Sequence, residues 1–260
     1  MISVGCCGTT ESYLDIREMG YDYAELSGRQ IMSLTEEDFQ EFLQLYRKTG
    51  FPCRGFNDYC DARYPIVGPG CSSESVKAYA REICRRGQAL GIKTIGIGAP
   101  SARTLPEGYP REQADREMEA FLRMICPIAR EHGITILLEA VHAHMCNYLT
   151  GTEEAAAMVR RLALPNLAMV LDYYHAMVME EDLHGLDSVM PDVRHLHIST
   201  DLESHARGYI RDCDVSLLKE LLARAAACGY EGGISVEASA ADLPRDGESC
   251  CRRMRSALPK

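Results

Sequence analysis

The sequence predicts a single (β/α)₈ barrel over residues 1–260, and three observations support this fold class. The chain has 260 residues, close to the roughly 250 that one such barrel occupies. Eight short apolar runs recur along it, several of them rich in Ile, Val and Leu, as strands buried on both faces should be. Amphipathic segments separate these runs, and repeated strand–helix alternation favours a parallel sheet.

The eight predicted strands follow one another without a linker or low-complexity segment that would divide the chain. Right-handed crossovers would place all their C-terminal ends on one face, where active sites of this fold lie. The longest irregular stretches, 57–71 and 201–213, both follow strands and are therefore expected to border that face. The strands are predicted at 2–6, 23–26, 52–56, 94–97, 135–139, 168–171, 193–198 and 233–237.

Capping residues predict where the helices begin and end. The segment 33–36, Ser-Leu-Thr-Glu, has the spacing of a capping box that starts at Ser33. Either Ser72 or Ser73 is expected to cap a helix that runs to about residue 90 and ends at Gly91. Further helices are predicted over 111–132, from 152 onward, over 215–228 and, as a short final helix, near 248–257.

Charge and composition exclude two classes of partner. The formal net charge is −10, and no run of Lys and Arg is longer than a pair, whereas proteins that bind nucleic acid usually present a basic face. No apolar stretch approaches the roughly 20 residues that cross a bilayer. We therefore expect neither nucleic acid nor a membrane as a partner.

The twelve cysteines are expected to be reduced thiols of a cytoplasmic protein. The chain opens on a strand pattern rather than on a charged and then apolar leader. Cys84 lies in an apolar periodic segment, where reduced cysteine packs as a small hydrophobic residue. The pairs Cys6-Cys7 and Cys250-Cys251 lack the CxxC spacing of metal sites. Since Cys6 and Cys7 end a predicted strand, one of them could line the site, although packing is the preferred role.

Potential metal ligands end four consecutive predicted strands. Glu139, Asp172 and Glu237 each follow an apolar run directly, and His197 lies near the end of the seventh strand. Catalytic residues of barrels come from the ends of several strands, so these four should converge at one side of the barrel mouth. Three carboxylates and one imidazole suit a hard or borderline divalent ion such as Mn²⁺ or Mg²⁺.

The motifs around these residues resemble those of the xylose-isomerase-like barrels over nearly the whole chain. The most similar branch contains ketose 3-epimerases, hydroxypyruvate isomerase and sugar-phosphate isomerase/epimerase homologues. Ala140 stands where these relatives usually have proline, so we expect an altered substrate. The motifs that carry the resemblance are 98–103 with 106–108, 137–139 followed by Asn147, the Asp-x-x-His of 171–175, 195–197 with 207–208, and 229–237.

The resemblance implies a role for each residue of the site. It implies that Glu139, Asp172, His197 and Glu237 bind one divalent metal, with Mn²⁺ preferred and Mg²⁺, Co²⁺ or Zn²⁺ as alternatives. It also implies that the two glutamates are an acid/base pair on opposite faces of the substrate. The residues expected to contact substrate are His175, Arg207, Asn147, Arg103 and His142.

Three residues near the predicted site keep a second, structural interpretation. Arg103 either binds an anionic end of the substrate or pairs with Glu107 at the rim, and the pairing is preferred. Glu25, which ends the second predicted strand, either supports the ligands from behind or is a structural hydrogen-bonding group. His195 is expected to pack behind the barrel wall.

The predicted function is a metal-dependent isomerase or epimerase that acts on a sugar or a small hydroxy-carbonyl compound. A metal ion would stabilise the enediolate that forms when a proton leaves the carbon next to a carbonyl, and the carboxylates would transfer that proton. The main alternative is a lyase or dehydratase acting on a keto-sugar, of the inosose dehydratase or C-glycoside-cleaving type, with the same site. An abasic-site endonuclease is disfavoured by the acidic charge, and a non-catalytic barrel by the intact ligand set. The resemblance also implies assembly into a dimer or a tetramer.

Overall fold

The strands of the computed structural model, which describes residues 2–71, 73–200, 202 and 207–259, form a closed barrel. Within those residues, eight parallel strands pair in sequence order, and the eighth pairs with the first. The predicted (β/α)₈ barrel is therefore confirmed. The strands are β1 Ser3–Gly8, β2 Tyr23–Ser27, β3 Cys53–Asn57, β4 Thr94–Ile97, β5 Thr135–Glu139, β6 Leu167–Asp172, β7 Val193–Ile198 and β8 Gly233–Val236.

Helices connect the strands and cover the outside of the barrel. The described helices include α3 and α4 before and after β3, the long α6 before β5, and α9 and α10 around β8. Their apolar faces and the outer face of the barrel form one large buried cluster. The α-helices are α1 Tyr13–Glu18, α2 Gly28–Ser33, α3 Glu36–Thr49, α4 Glu74–Ala89, α5 Pro100–Arg103, α6 Arg111–Glu131, α7 Thr152–Leu162, α8 Tyr173–Val178, α9 Val215–Ala227 and α10 Leu243–Ala257.

The ends of two helices differ from the prediction. The N-cap of α3 is Thr35, whose hydroxyl accepts a hydrogen bond from the Asp38 amide, because Ser33 is already the last residue of α2. The final helix α10 begins at Leu243 and has 15 residues, so it is not short. Pro244 lies in its first turn, a position where proline costs the helix no hydrogen bond. Ser73 caps α4 as expected, and Ser72 lies outside the described residues.

The inside of the barrel is lined by small, polar and a few apolar side chains. Because side chains alternate along a strand, Leu137 shares the inner face with Glu139, and Val170 shares it with Asp172. Leu137, Ala168 and Val170 form a small buried cluster of their own, separate from the main core. The polar part of this interior is what positions the ligands described below.

The twelve cysteines are all free thiols, nine of them buried. Among the described residues, no helix is both long enough and apolar enough to cross a membrane.

Candidate metal centre

Four side chains converge at the C-terminal ends of neighbouring strands. Glu139 and Asp172 are the last residues of β5 and β6, His197 is the next-to-last residue of β7, and Glu237 follows β8. Each offers one ligand atom, and these atoms all lie within 4.8 Å of one another. Asp172 and His197 are paired in register across β6 and β7. Parallel closure of the barrel thus brings together residues that are up to 98 positions apart in the chain.

Two atoms of this cluster are buried without a hydrogen-bond partner among the described residues. They are Oε1 of Glu139 and Nδ1 of His197, which lie 3.6 Å apart. Nδ1 of His197 also lies 3.2 Å from Oε2 of Glu237. Buried polar atoms are normally satisfied, and a cation between these atoms would satisfy both. Three carboxylates and one imidazole also suit a divalent ion that prefers oxygen ligands.

The guanidinium of Arg207 bridges two of the four candidate ligands. Its Nη2 donates to Oδ2 of Asp172 at 2.7 Å, and its Nη1 donates to Oε2 of Glu237 at 2.8 Å. The side chain also lies over the ring of Tyr174, 4.9 Å from its centroid. Two backbone hydrogen bonds between Thr200 and Gly208 hold the segment that carries Arg207. The guanidinium of Arg207 therefore neutralises part of the negative charge of the acidic cluster, and it also lines the cavity.

The local charges move the pKa values of the site residues in different directions. Burial raises the pKa of Glu139. Burial acts in the same direction on Glu237, but Arg207 and His197 outweigh it and lower the pKa of Glu237 to about 2. The carboxyl of Asp172 is held below its usual pKa because Arg207, His175 and His197 outweigh burial there too.

Asp172 also fixes the position of His175. Its Oδ1 accepts a hydrogen bond from the Tyr174 amide at 2.8 Å and so caps the short helix α8. That places His175 one turn later, with Nε2 3.6 Å from Oδ2 of Asp172 and 2.7 Å from Nη2 of Arg207. Burial lowers the pKa of His175 to about 4. The imidazole is therefore neutral near pH 7 and is suited to hydrogen bonding with a hydroxyl group.

A cavity of about 450 Å³ opens over this cluster, within the usual range for small-molecule sites. Glu139, Glu237, His175 and Arg207 all line it. Asn57 lines it as well, and its amide donates to Oε1 of Glu237 at 3.1 Å. Asn57 was not among the residues predicted to form the site, although it lies at the end of β3, as the other site residues lie at the ends of their strands. The other lining residues include Cys7, Ser27, Arg29, Asp58, Met145 and Val141.

Three residues expected to contact substrate are placed elsewhere. His142 is buried, and its backbone amide donates to Nδ1 of His175. The side chain of Asn147 hydrogen bonds the backbone of Leu105 through both its oxygen and its nitrogen. Arg103 is 0% exposed. The described structure therefore brings His175 and Arg207 to the cavity wall, but not these three side chains.

The preferred pairing of Arg103 with Glu107 is wrong, because the two residues lie in different environments. Glu107 is exposed, whereas all three guanidinium nitrogens of Arg103 are buried and find no hydrogen-bond partner in the described part of the chain. Burial lowers the pKa of Arg103, and the nearby side chains of Cys146 and Glu139 partly offset this effect. Hydrogen bonds from the 58–71 loop to the Ala102 carbonyl help to hold α5 in this buried position.

The buried guanidinium of Arg103 leads to a stability prediction. A buried charge without partners costs free energy, and an apolar side chain of similar size often restores it. We expect Arg103→Met to raise the free energy of unfolding in urea by about 1–3 kcal/mol. Arg103→Ala, which leaves a cavity, should be clearly less stable than Arg103→Met. A loss of stability in Arg103→Met equal to that in Arg103→Ala would show that the guanidinium is paired in solution.

Gly98, just after β4, gives Glu139 the room that it occupies. A Cβ atom on Gly98 would lie 2.4 Å from Oε2 of Glu139. Because a carboxylate is the flexible end of its side chain, Gly98→Ala should displace it at little cost to folding. We expect Gly98→Ala to weaken Mn²⁺ binding roughly 10- to 100-fold, as losses of ligand positioning do, with a melting temperature within a few degrees of the parent. Calorimetric titration measures the Mn²⁺ affinity, and thermal unfolding measures the melting temperature. Unchanged Mn²⁺ affinity in Gly98→Ala would contradict the prediction.

The expectation for His195 is wrong, because residues two apart on a strand share a face. His195 therefore lies on the inner face together with His197, and its Nε2 is 2.8 Å from Oε2 of Glu25. Nε2 of His197 is 3.0 Å from the same oxygen. Cys7 lines the cavity next to them, with Sγ 3.7 Å from that oxygen. Of the two interpretations of Glu25, its contact with His197 favours support of the ligands from behind.

Comparison with known proteins gives the family of the chain. The family model described as "Xylose isomerase-like TIM barrel" matches residues 14–257. A protein of Mus musculus named "Putative hydroxypyruvate isomerase" is 25% identical over 158 residues, which are 58% of this chain and 55% of the relative. The ketose 3-epimerase of Arthrobacter globiformis is 34% identical over 113 residues, 42% of this chain and 36% of the relative. The matches thus span about half of these relatives or less.

The same fold is found in solved structures of sugar epimerases. The D-psicose 3-epimerase of Clostridium cellulolyticum H10, solved with D-tagatose, superposes with a TM-score of 0.78 at 14% identity, and the match covers 100% of both chains. At that identity the likeness concerns the fold. Together with the family match over residues 14–257, it identifies this chain as a member of the xylose isomerase-like TIM barrel family.

Proposed function

We propose that this protein is a divalent-metal-dependent sugar isomerase or epimerase, with Mn²⁺ as the preferred cation. The observation that carries the proposal is the convergence of four ligand atoms within 4.8 Å, two of them on residues that line the cavity. A cation held by Glu139, Asp172, His197 and Glu237 would polarise a substrate carbonyl as a Lewis acid. The names of the sugar-converting relatives support the same class of substrate.

Glu139 and Glu237 are the groups that we assign to proton transfer. They are the two carboxylates of the cluster that line the cavity. One of them takes the proton from the carbon next to the carbonyl, and the electron pair of the C–H bond forms the enediolate. Return of a proton by the other glutamate, on the opposite face, inverts that carbon. Return by the same glutamate to the neighbouring carbon, together with transfer of the hydroxyl proton from one enediolate oxygen to the other, exchanges aldose and ketose.

Arg207 and His175 are the groups that we assign to the substrate oxygens. Arg207 is always charged and lines the cavity, so it can hold the oxygen on which negative charge develops. His175 can hydrogen bond a hydroxyl group from the same wall. These two side chains would orient the sugar so that the carbon to be deprotonated faces a glutamate.

The test is a substrate screen of the protein stripped of metal with a chelator and then supplied with Mn²⁺, Mg²⁺, Co²⁺ or Zn²⁺. Aldoses, ketoses, keto-acids and 3-keto-glycosides are the substrates, and products are identified by mass and NMR. The proposal expects turnover only with metal and a product that is an isomer of the substrate. Loss of water or of an aglycone would instead identify a lyase.

A pair of histidine variants links the turnover to the cluster. His197→Ala should lose both bound metal and activity, because it removes one of four ligands. His184→Ala, which changes an exposed histidine paired with Glu220 at 3.5 Å, should keep both. Retention of metal and activity in His197→Ala, or the absence of bound metal in the parent protein, would refute the proposed site.

A further inference from the structure

Glu25 lies deep in the barrel and contacts the candidate ligand His197 across the barrel interior. It belongs to β2, whereas His197 belongs to β7, and neither β8 nor β1 between them blocks the contact. Glu25 is 2% exposed, and its Oε2 lies 3.0 Å from Nε2 of His197. We propose that Glu25 is a positioning residue that sets the tautomer and ring orientation of His197 for the cation. This inference rests on the proposed metal site.

The hydrogen bond to Glu25 decides which nitrogen of His197 is free. An ionised carboxylate can only accept hydrogen bonds, so the nitrogen that faces Glu25, Nε2, carries the proton. In a neutral imidazole the other nitrogen then has a lone pair. That nitrogen, Nδ1, lies 3.6 Å from Oε1 of Glu139 and 3.2 Å from Oε2 of Glu237. Glu25 therefore directs the lone pair of His197 into the cluster of candidate ligands.

Glu25 is itself held in place by groups on β1 and β7, and a residue of β8 supports one of them. Nε2 of His195 lies 2.8 Å from the same oxygen of Glu25 and 3.0 Å from Oγ of Ser235. Ser235 Oγ in turn donates to the hydroxyl of Tyr23 at 3.2 Å. Sγ of Cys7 donates to Oε2 of Glu25 at 3.7 Å. The carboxylate oxygen is thus fixed from several directions, so the ring of His197 has one favoured orientation.

The cluster of Cys7, Glu25 and His197 has the geometry of a second metal site, but its hydrogen bonds account for it without an ion. Oε2 of Glu25 accepts from His195, His197 and Cys7. A cation there would also need Nε2 of His197 to lose its proton, which would remove the hydrogen bond to Glu25. The arrangement is that of a ligand histidine whose second nitrogen donates to a carboxylate, a common device in metal sites.

The variant Glu25→Gln tests the positioning role, because it keeps the shape of the side chain and removes its charge. The amide can offer either its oxygen or its nitrogen to His197, so it no longer enforces one tautomer. We expect the dissociation constant for Mn²⁺, measured by calorimetry, to rise roughly 10- to 100-fold. Glu18→Gln, a change of an exposed glutamate on α1, should leave it unchanged.

The nitrogen spectrum of ¹⁵N-histidine-labelled protein gives a readout that a purely structural role would not move. In the parent protein, free of metal or loaded with Zn²⁺, the Nε2–H signal of His197 should be hydrogen bonded and protected from exchange. In Glu25→Gln the same Nε2–H signal should lose its protection from exchange, because the charged acceptor is gone. An unchanged signal together with unchanged Mn²⁺ affinity would overturn the positioning role. A parent protein with the protected signal but no bound cation would refute the proposed function and leave the hydrogen bond established.

A second variant covers the case in which Glu25→Gln does not fold. His195→Gln keeps the charge of Glu25 but removes the ring that anchors it, and should weaken Mn²⁺ binding by roughly tenfold. Circular dichroism checks the fold of each variant. Parent-like Mn²⁺ affinity in a folded His195→Gln would count against the anchoring of Glu25, and with it against the positioning role.

Discussion

Replacement of Glu237 by Gln is expected to lower kcat by roughly 10²- to 10⁴-fold when metal is saturating, the usual loss on removal of a general acid or base. The amide keeps the size of the side chain, and its oxygen can still accept one of the hydrogen bonds from Asn57 and Arg207. It cannot accept a proton from carbon. Stopped assays at several Mn²⁺ concentrations separate weaker metal binding from the slower chemical step.

The exchange of a carbon-bound hydrogen with solvent gives a direct test of the same prediction. Substrate recovered from D₂O after partial turnover should carry deuterium in the parent reaction and far less in that of Glu237→Gln. Glu231→Gln changes an exposed glutamate just before β8 and serves as the matched control, with unchanged kcat and deuterium uptake. Parent-like turnover in metal-loaded Glu237→Gln would remove Glu237 as a proton-transfer group.

The fold was predictable because its signals are local. Each strand is a short apolar run, and the predicted bounds of β4, β5 and β7 agree with the structure. The convergence of Glu139, Asp172, His197 and Glu237 follows from topology alone, since parallel strands of a barrel end on one face. A rule of this kind needs only the position of each residue within its strand.

The surroundings of Arg103 and Glu25 depend on contacts that no local pattern encodes. Arg103 was predicted to be a charge at the rim, but it is fully buried on α5, close to Cys146 and Glu139. Glu25 contacts His195 and His197, which lie 170 and 172 positions further along the chain. The sequence does not give the distance between these side chains across the barrel interior. The structure was therefore needed to identify the polar partners of a strand residue inside the barrel. The position of the strand residue itself could be predicted from the sequence.

The variant Arg207→Met is expected to destabilise the metal-free protein by about 3–5 kcal/mol, the usual cost of removing one partner from a buried ion pair. The side chain of Asp172 is 0% exposed, and Arg207 donates to it at 2.7 Å as well as to Glu237 at 2.8 Å. Without the guanidinium, the buried carboxylate of Asp172 and the half-buried carboxylate of Glu237 repel each other, and His197 is left to offset part of this repulsion. Urea unfolding in the presence of a chelator measures the loss.

Saturating Mn²⁺ should recover much of that stability in Arg207→Met, because a cation bound by the same carboxylates replaces part of the missing charge. Bound metal stabilises a protein in proportion to the logarithm of its concentration over the dissociation constant. The shift in the urea midpoint on addition of Mn²⁺ should therefore be larger than in the parent if the variant binds the ion more tightly. The kcat of Arg207→Met should nevertheless stay roughly 10²- to 10³-fold below that of the parent, because the donor to the developing oxyanion is gone.

A surface arginine provides the comparison that makes this prediction specific. Arg211 pairs with Asp214 at 3.2 Å, but 60% of its side chain is exposed, and exposed pairs contribute about 0–1 kcal/mol. Arg211→Met should thus change the unfolding free energy by no more than about 1 kcal/mol. The shift of its urea midpoint on addition of Mn²⁺ should equal that of the parent. If Arg207→Met were as stable as Arg211→Met without metal, Arg207 would not be the charge that holds Asp172 and Glu237 together. The acidic cluster would then have to be neutralised by protons, and Mn²⁺ binding would become steeply dependent on pH below neutrality.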